Sequence, residues 1–249
     1  MWKKIKIMTE IYTDKTIELI RAIDKNEKGN IDKAAEIVYK AMRNKGLLHV
    51  FCTGHSHMMA EELFYRAGGL VQVNPVLEPM LMQHEGAVRS TKLERLSGLA
   101  EILFGSIDVR AGEPFLIASN SGINAVPIEM AKCAKEKGCP VIVVTSKVCS
   151  DCPNERNKDG KYLYQFADVV INNHVPLGDG LIESKFGRIG AGSTIACSYI
   201  AQRLVIGIID LCEKDGIEPG IYQSANIKGG DEHNEEILRE FAPRIRCLY

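Results

Sequence analysis

Two short polar turns carry the groups best suited to gripping an anion. Ser119-Asn120-Ser121-Gly122 packs two hydroxyls, an amide and a glycine into four positions, directly after the apolar run Phe115 to Ala118. Hydroxyls and exposed main-chain N–H groups at a helix start form a neutral cradle for phosphate, without the lysine that a nucleotide P-loop needs. Cys52-Thr53-Gly54-His55-Ser56-His57 occupies an equivalent strand-to-helix junction, where Gly54 lets the backbone approach a ligand and Ser56 can cap the helix. Either turn alone reads equally well as a helix cap or a packing turn. Two of them after neighbouring strands point to a shared ligand site. The chain has neither a Gly-x-x-x-x-Gly-Lys-[Ser/Thr] run nor a Gly-x-Gly-x-x-Gly run, which weighs against an ATPase, a GTPase or a dinucleotide enzyme.

Groups able to move a proton lie elsewhere. The connection Pro75 to Lys92 carries Glu78, His84, Glu85 and Arg89 among Met and Leu residues, and a long loop of this kind can close over a ligand. Asp231-Glu232-His233-Asn234 follows a glycine pair, and a histidine titrates near neutral pH. Glu85 as general base and His233 as ring-opening acid/base are the catalytic candidates. A surface or hydrogen-bonded structural residue is the competing reading of each. No metal or other cofactor is expected. His55 and His57 diverge at a helix start, and Cys149-Ser150-Asp151-Cys152 has zinc-like spacing but no second close pair; Cys139 or His174 would have to be recruited in space.

These residues need a frame to hold them. Helical spacing appears over Thr9 to Asp24 and Ile31 to Asn44, with Lys28-Gly29-Asn30 as a stop between them. Strand-like runs follow at Leu47–Cys52, Leu70–Val73, Phe115–Ala118, Val141–Thr145 and Val169–Ile171. Helical segments from Ser56 to about Ala67, Glu94 to Phe104, Asn124 to Lys137, Ala191 to Lys214 and Asp231 to Phe241 separate or follow them. Strands alternating with helices predict an α/β protein, a three-layer αβα doubly wound parallel sheet behind N-terminal helices. In such folds ligands bind beyond the C-terminal strand ends, where strand order reverses, which is where both polar turns fall. One domain over residues 1–249 accommodates this: a helical segment (1–46), the sheet core (47–215) and a C-terminal segment (216–249).

Composition sets the outer limits. With 249 residues, 45% apolar and 25% charged, the chain can bury a substantial core. A net charge of -1 argues against coating nucleic acid. Eight cysteines at irregular spacing do not resemble a stapled secreted domain, and Met1 to Met8 lacks the apolar core of a signal peptide. The most apolar stretch, Ile195 to Cys212, is interrupted by Gln202, Arg203 and Asp210. A cytoplasmic protein with reduced thiols and no membrane span is expected.

The paired turns Gly54-His55-Ser56 and Ser119-Asn120-Ser121-Gly122-Ile123-Asn124 resemble the signature of sugar isomerase (SIS) domains, over about residues 30 to 215. The chain is most similar to a UPF0309-like subgroup sharing the stretch Glu94-Arg95-Leu96 and the segment Gly229 to Asn234. The resemblance implies a five-stranded parallel sheet of the flavodoxin-like SIS type. It further implies a phosphorylated sugar held by Gly54, Ser56, Ser119, Asn120, Ser121 and Asn124, the last standing where the signature usually has Thr. A homodimer or higher assembly, with sites near subunit boundaries, is also implied. Glu62 and Arg66 stand where phosphoheptose isomerases carry a His and a Glu, so that chemistry does not transfer. By analogy with glucosamine-6-phosphate isomerase domains, His233 would assist ring opening. A sugar-phosphate isomerase, a phosphosugar lyase or deglycase, and a non-catalytic phosphosugar sensor all remain open.

Overall fold

The computed structural model describes residues 7–151 and 160–249. Helix α1 (Met8–Arg43) leads into strand β1 (Leu48–Cys52), helix α2 (His57–Leu63) and strand β2 (Val73–Val76). Two short helices, α3 (Ala87–Leu93) and α4 (Leu99–Gly105), precede β3 (Phe115–Ala118), α5 (Ala125–Glu136) and β4 (Val141–Thr145). After the single turn α6 (Lys147–Ser150) come β5 (Val169–Asn172), a hairpin of β6 (Gly180–Ser184) and β7 (Gly187–Ala191), α7 (Ser193–Asp215) and α8 (Gly230–Leu238).

β1 to β5 form one parallel sheet in the order β2-β1-β3-β4-β5. Its strands are short apolar runs because helices cover both faces. Alternate residues serve alternate faces. Val50, Leu116, Ile142 and Ile171 pack with α1, α2 and α7, whereas Phe51, Ile117 and Val143 pack with α4 and α5. α7 is long and apolar enough by composition to cross a bilayer. Here it lies against α1 and α2, burying Ile200, Ala201, Leu204 and Ile208 at 0% exposure, as a core helix does.

Several elements depart from the sequence reading. The first two helices are one, because Gly29 is exposed with nothing near the position of its missing side chain. Lys28–Asp32 and Asn30–Glu27 contacts bridge the site, and the cost of a helical glycine, about 1 kcal/mol, is outweighed by burying Ile23, Ile31, Ala34, Ala35 and Val38. β2 begins at Val73 rather than Leu70 and contains Asn74 and Pro75. Proline is tolerated there because β2 is an edge strand. Leu70 instead makes an isolated antiparallel bridge with Ile221. The expected Glu94–Phe104 helix is broken at Gly98 (φ +87°), so Glu94 ends α3 instead of starting α4. The β6–β7 hairpin had no counterpart in the sequence reading. Cys152 and Pro153 lie outside the described residues.

A buried polar knot fastens the N-terminal ends of the central strands. Glu113, just before β3, accepts hydrogen bonds from the main-chain N–H of Leu47 and Arg110 at 3.0 and 2.8 Å. His49 Nε2 lies 3.0 Å from one carboxylate oxygen, and Arg244 donates to both oxygens at 2.7 and 2.8 Å. Burial works against this charge, but His49, Arg244 and the two amides hold the carboxyl well below the usual carboxylate range. A carboxyl depressed in the folded state contributes stability that is present above its unfolded pKa of about 4.3 and lost as pH falls below it. We predict that Glu113→Gln, which leaves Arg244 without its buried partner, lowers unfolding stability by about 3 kcal/mol at neutral pH. The variant's stability falls less than that of the wild type on acidification below pH ~4, as read by denaturant unfolding at several pH values.

Candidate functional site

Cys52 and Ala118 are in register on adjacent strands, so Thr53–Ser56 and Ser119–Gly122 emerge side by side. The chain leaves β1 toward the face with α1 and α7, and leaves β3 toward the opposite face, so the two turns flank the point where strand order reverses, the place where doubly wound folds bind ligands.

The second turn is braced from beneath. Gly122 adopts φ +63°, and a side chain there would be strained and crowded, meeting the hydroxyls of Ser150 and Thr145 at 3.0 and 3.1 Å. Ser119 is buried, and its hydroxyl accepts the N–H of Gly122 at 3.2 Å. Thr145 and Ser150 hydroxyls lie 2.9 Å apart. The Ser146 N–H donates to the Asn120 carbonyl at 3.1 Å. The main-chain N–H groups of Asn120 and Ser121 have no partner among the described residues.

The start of α5 offers less than the sequence suggested. Val126 gives its N–H to the carbonyl of Glu94 at 3.1 Å, and Pro127 has none to give. Asn124 sits at the N-cap position but makes no capping bond, and its buried Oδ1 has no partner among the described residues. The anion-binding capacity therefore lies in the turn and its side chains more than in the helix end.

The first turn is tighter. Gly54 (φ +56°) opens a 3-10 turn through Ser56, and α2 starts at His57 without a side-chain cap from Ser56. Ser56 is half-buried with its hydroxyl uncommitted among the described residues. His55 is exposed, while His57 is 2% exposed, with Nδ1 3.1 Å from the Gly54 carbonyl. That bond fixes the proton on Nδ1 and leaves Nε2 as a buried acceptor without a partner among the described residues.

Glu94 is the residue that the sequence reading placed on a helix and overlooked as part of the site. Its carboxylate accepts the Thr53 hydroxyl at 2.9 Å and its carbonyl holds the start of α5, so it joins the two turns. An acidic residue just before the Ser97-Gly98 break was the available signal.

The expected catalytic residues separate. Glu85 lies in the 3-10 turn Gln83–Glu85, beyond the C-terminal end of β2 and on the same side of the sheet as both turns. A side chain on Gly54 would lie 3.9 Å from Gln83 Nε2, so this segment leans over the first turn. Glu85 is exposed and 3.3 Å from Arg89. His233 is not brought to the turns within one chain. Its Nε2 bonds the Ile221 carbonyl at 2.9 Å, and Ile221 bridges Leu70, ahead of β2, at the N-terminal end of the sheet. Glu62 and Arg66 pair with each other at 2.9 Å, and Gln202 donates to Glu62 at 2.8 Å. No cluster of three or more metal-ligating side chains occurs among the described residues.

The SIS domain family profile matches residues 11–146. A UPF0309 protein of Geobacillus thermodenitrificans is 41% identical over 97% of this chain and 98% of its own length. A phosphoheptose isomerase from Francisella tularensis superposes with a TM-score of 0.52, at 17% identity, over 83% of this chain and 100% of that one. A putative phosphosugar isomerase involved in capsule formation from Bacteroides fragilis gives 0.53, at 18% identity, over 82% and 90%. The two structures establish the common fold.

Burial pushes His57 down to about 4, the nearby His84 adds to this, and the bond to Gly54 offsets part of it. A histidine held neutral in the folded state loses stability as pH falls, because the unfolded chain takes up the proton first, from about pH 6.5. We predict a loss of about 3 kcal/mol in folding stability between pH ~6.5 and ~4. His57→Gln removes most of it, as measured by unfolding across that window.

Proposed function

For a chain that belongs to the SIS domain family and groups with its UPF0309 members, we propose a phosphosugar-binding protein that isomerises a sugar phosphate. The observation that carries this reading is the pairing of two turns at the adjacent ends of β1 and β3, with main-chain N–H groups at Asn120 and Ser121 that have no partner among the described residues. Phosphate is an acceptor-only ligand and such a turn supplies donors. Ser119, Asn120, Ser121 and Asn124 hold it from one side, and Gly54 and Ser56 from the other. That two structural neighbours are described as a phosphoheptose isomerase and a phosphosugar isomerase supports the same ligand class.

At the reacting end, Glu85 is the base of the proposal. Its segment leans over the first turn, so a sugar anchored by its phosphate would extend toward it. Moving a proton between C1 and C2 needs one carboxylate within hydrogen-bond reach of both carbons' protons. Ring opening falls to His233 only across a subunit boundary, because within one chain that imidazole is held at the far end of the sheet. The homodimer implied by the resemblance belongs to the same proposal. So does a reducing cytoplasmic location, where the seven described cysteines stay free.

A non-catalytic sensor is the second reading, favoured by the exposed Glu85 pairing with Arg89 of the following helix α3. Glucosamine 6-phosphate is expected to raise the melting temperature while glucosamine does not, and Ser121→Ala should reduce that rise. An undiminished rise in Ser121→Ala would show that the ligand is held elsewhere. Incubation with a panel of phosphosugars, followed by NMR, separates enzyme from sensor. New product from the wild type, reduced about 100-fold or more in Glu85→Gln with ligand stabilisation retained, is the expected result. Stabilisation without product anywhere in the panel would favour the sensor.

A further inference from the structure

Asn173, one residue past β5, is 0% exposed and sits directly behind the second turn. Its oxygen Oδ1 accepts the main-chain N–H of Val175 at 3.1 Å. A backbone N–H can only donate, so this bond fixes which end of the Asn173 amide is which. The other end, Nδ2, donates to Asn120 Oδ1 at 2.9 Å. Asn120 must therefore turn its oxygen inward, and its own Nδ2 faces away from Asn173, without a partner among the described residues. The turn around Asn173 is itself held: its N–H donates to the Thr145 carbonyl at 2.9 Å, and the Ser146 hydroxyl donates to the Val175 carbonyl at 2.6 Å.

We infer that Asn173 is a positioning residue that sets the polarity of Asn120, so that the second turn presents donors to an oxyanion. The inference rests on the phosphosugar reading of this site and deepens it. Ser119 fits the same scheme: its hydroxyl oxygen is occupied by the Gly122 N–H, which leaves its hydrogen to donate. Together with the N–H groups of Asn120 and Ser121, which have no partner among the described residues, these groups present donors to the ligand. Such a surface favours the fully deprotonated phosphate monoester, whose second pKa is about 6. An amide without Asn173 behind it samples both of its orientations, because its terminal torsion is roughly two-fold. It would then offer oxygen to oxygen part of the time.

The test is a double-mutant cycle read by calorimetric titration with glucosamine 6-phosphate. Asn120→Ala is expected to weaken binding about tenfold, the loss of one hydrogen bond to a charged ligand. Asn173→Ala alone should weaken it about threefold to tenfold, yet cost less than about twofold more in the Asn120→Ala background. Wild-type affinity in Asn173→Ala, or losses that multiply in the double variant, would overturn the inference. Should Asn173→Ala not fold, Asn173→Asp serves, since it keeps an oxygen for Val175 and turns a second toward Asn120. Wild-type affinity should rise between about pH 5 and pH 7.5 as the phosphate loses its second proton. In Asn173→Asp that rise should flatten or reverse, and an unchanged profile would overturn the inference. If the wild type does not bind the probe, the phosphosugar reading fails and this inference with it. Binding that the Asn173 variants leave untouched removes this inference alone.

Discussion

The point where strand order reverses governs this molecule. β1 and β3 lie side by side, yet the chain leaves them toward opposite faces of the sheet. No helix can close the gap that opens above them. Main-chain groups at the two strand ends then have no sheet partner, and they must be satisfied by turns, by side chains or by a ligand. The glycines at 54 and 122, the hydroxyls around them and the bracing from Thr145, Ser146 and Ser150 are local answers to that one topological constraint.

Buried polarity is met in full at one point of the sheet and left open at several others. At the N-terminal end, Glu113 gathers His49, Arg244 and two amides into a knot in which both carboxylate oxygens are bonded. A buried charge survives only when it is paired in this way. At the C-terminal end, Asn124 Oδ1 and His57 Nε2 are buried without partners among the described residues, and the Asn120 and Ser121 main-chain N–H groups have none there either. Native proteins rarely leave such groups unmet, and the N-terminal end has two more among the described residues, Asn74 Oδ1 beside His49 and the Tyr222 hydroxyl.

The sheet was legible from sequence because its strands are buried on both faces and read as unbroken apolar runs. Phe115–Ala118 and Val141–Thr145 match to the residue. Edge strand β2 was misplaced because Asn74-Pro75 carries turn residues inside a strand, which only an edge position allows. The N-terminal helix was split at Gly29 because a glycine's local cost is visible in sequence and the packing that overrides it is not. At the site, the turns themselves were readable as clustered hydroxyls and glycine. Their supports were not: Glu94 and Asn173 reach the places they hold through contacts 41 and 53 positions away in the chain. His49 was hidden inside a run that otherwise reads as apolar.

The central claim is that Gly54–Ser56 and Ser119–Gly122 form one site for the phosphate end of a sugar. Two-dimensional 15N spectra recorded during titration with glucosamine 6-phosphate test it directly, by following the amides of Gly54, His55, Ser56, Asn120, Ser121 and Gly122. The account predicts that amides of both turns shift along one common binding isotherm. Shifts confined to one turn, or concentrated in the groove between α4 and α5 around Glu101, Glu129 and Cys133, would contradict it.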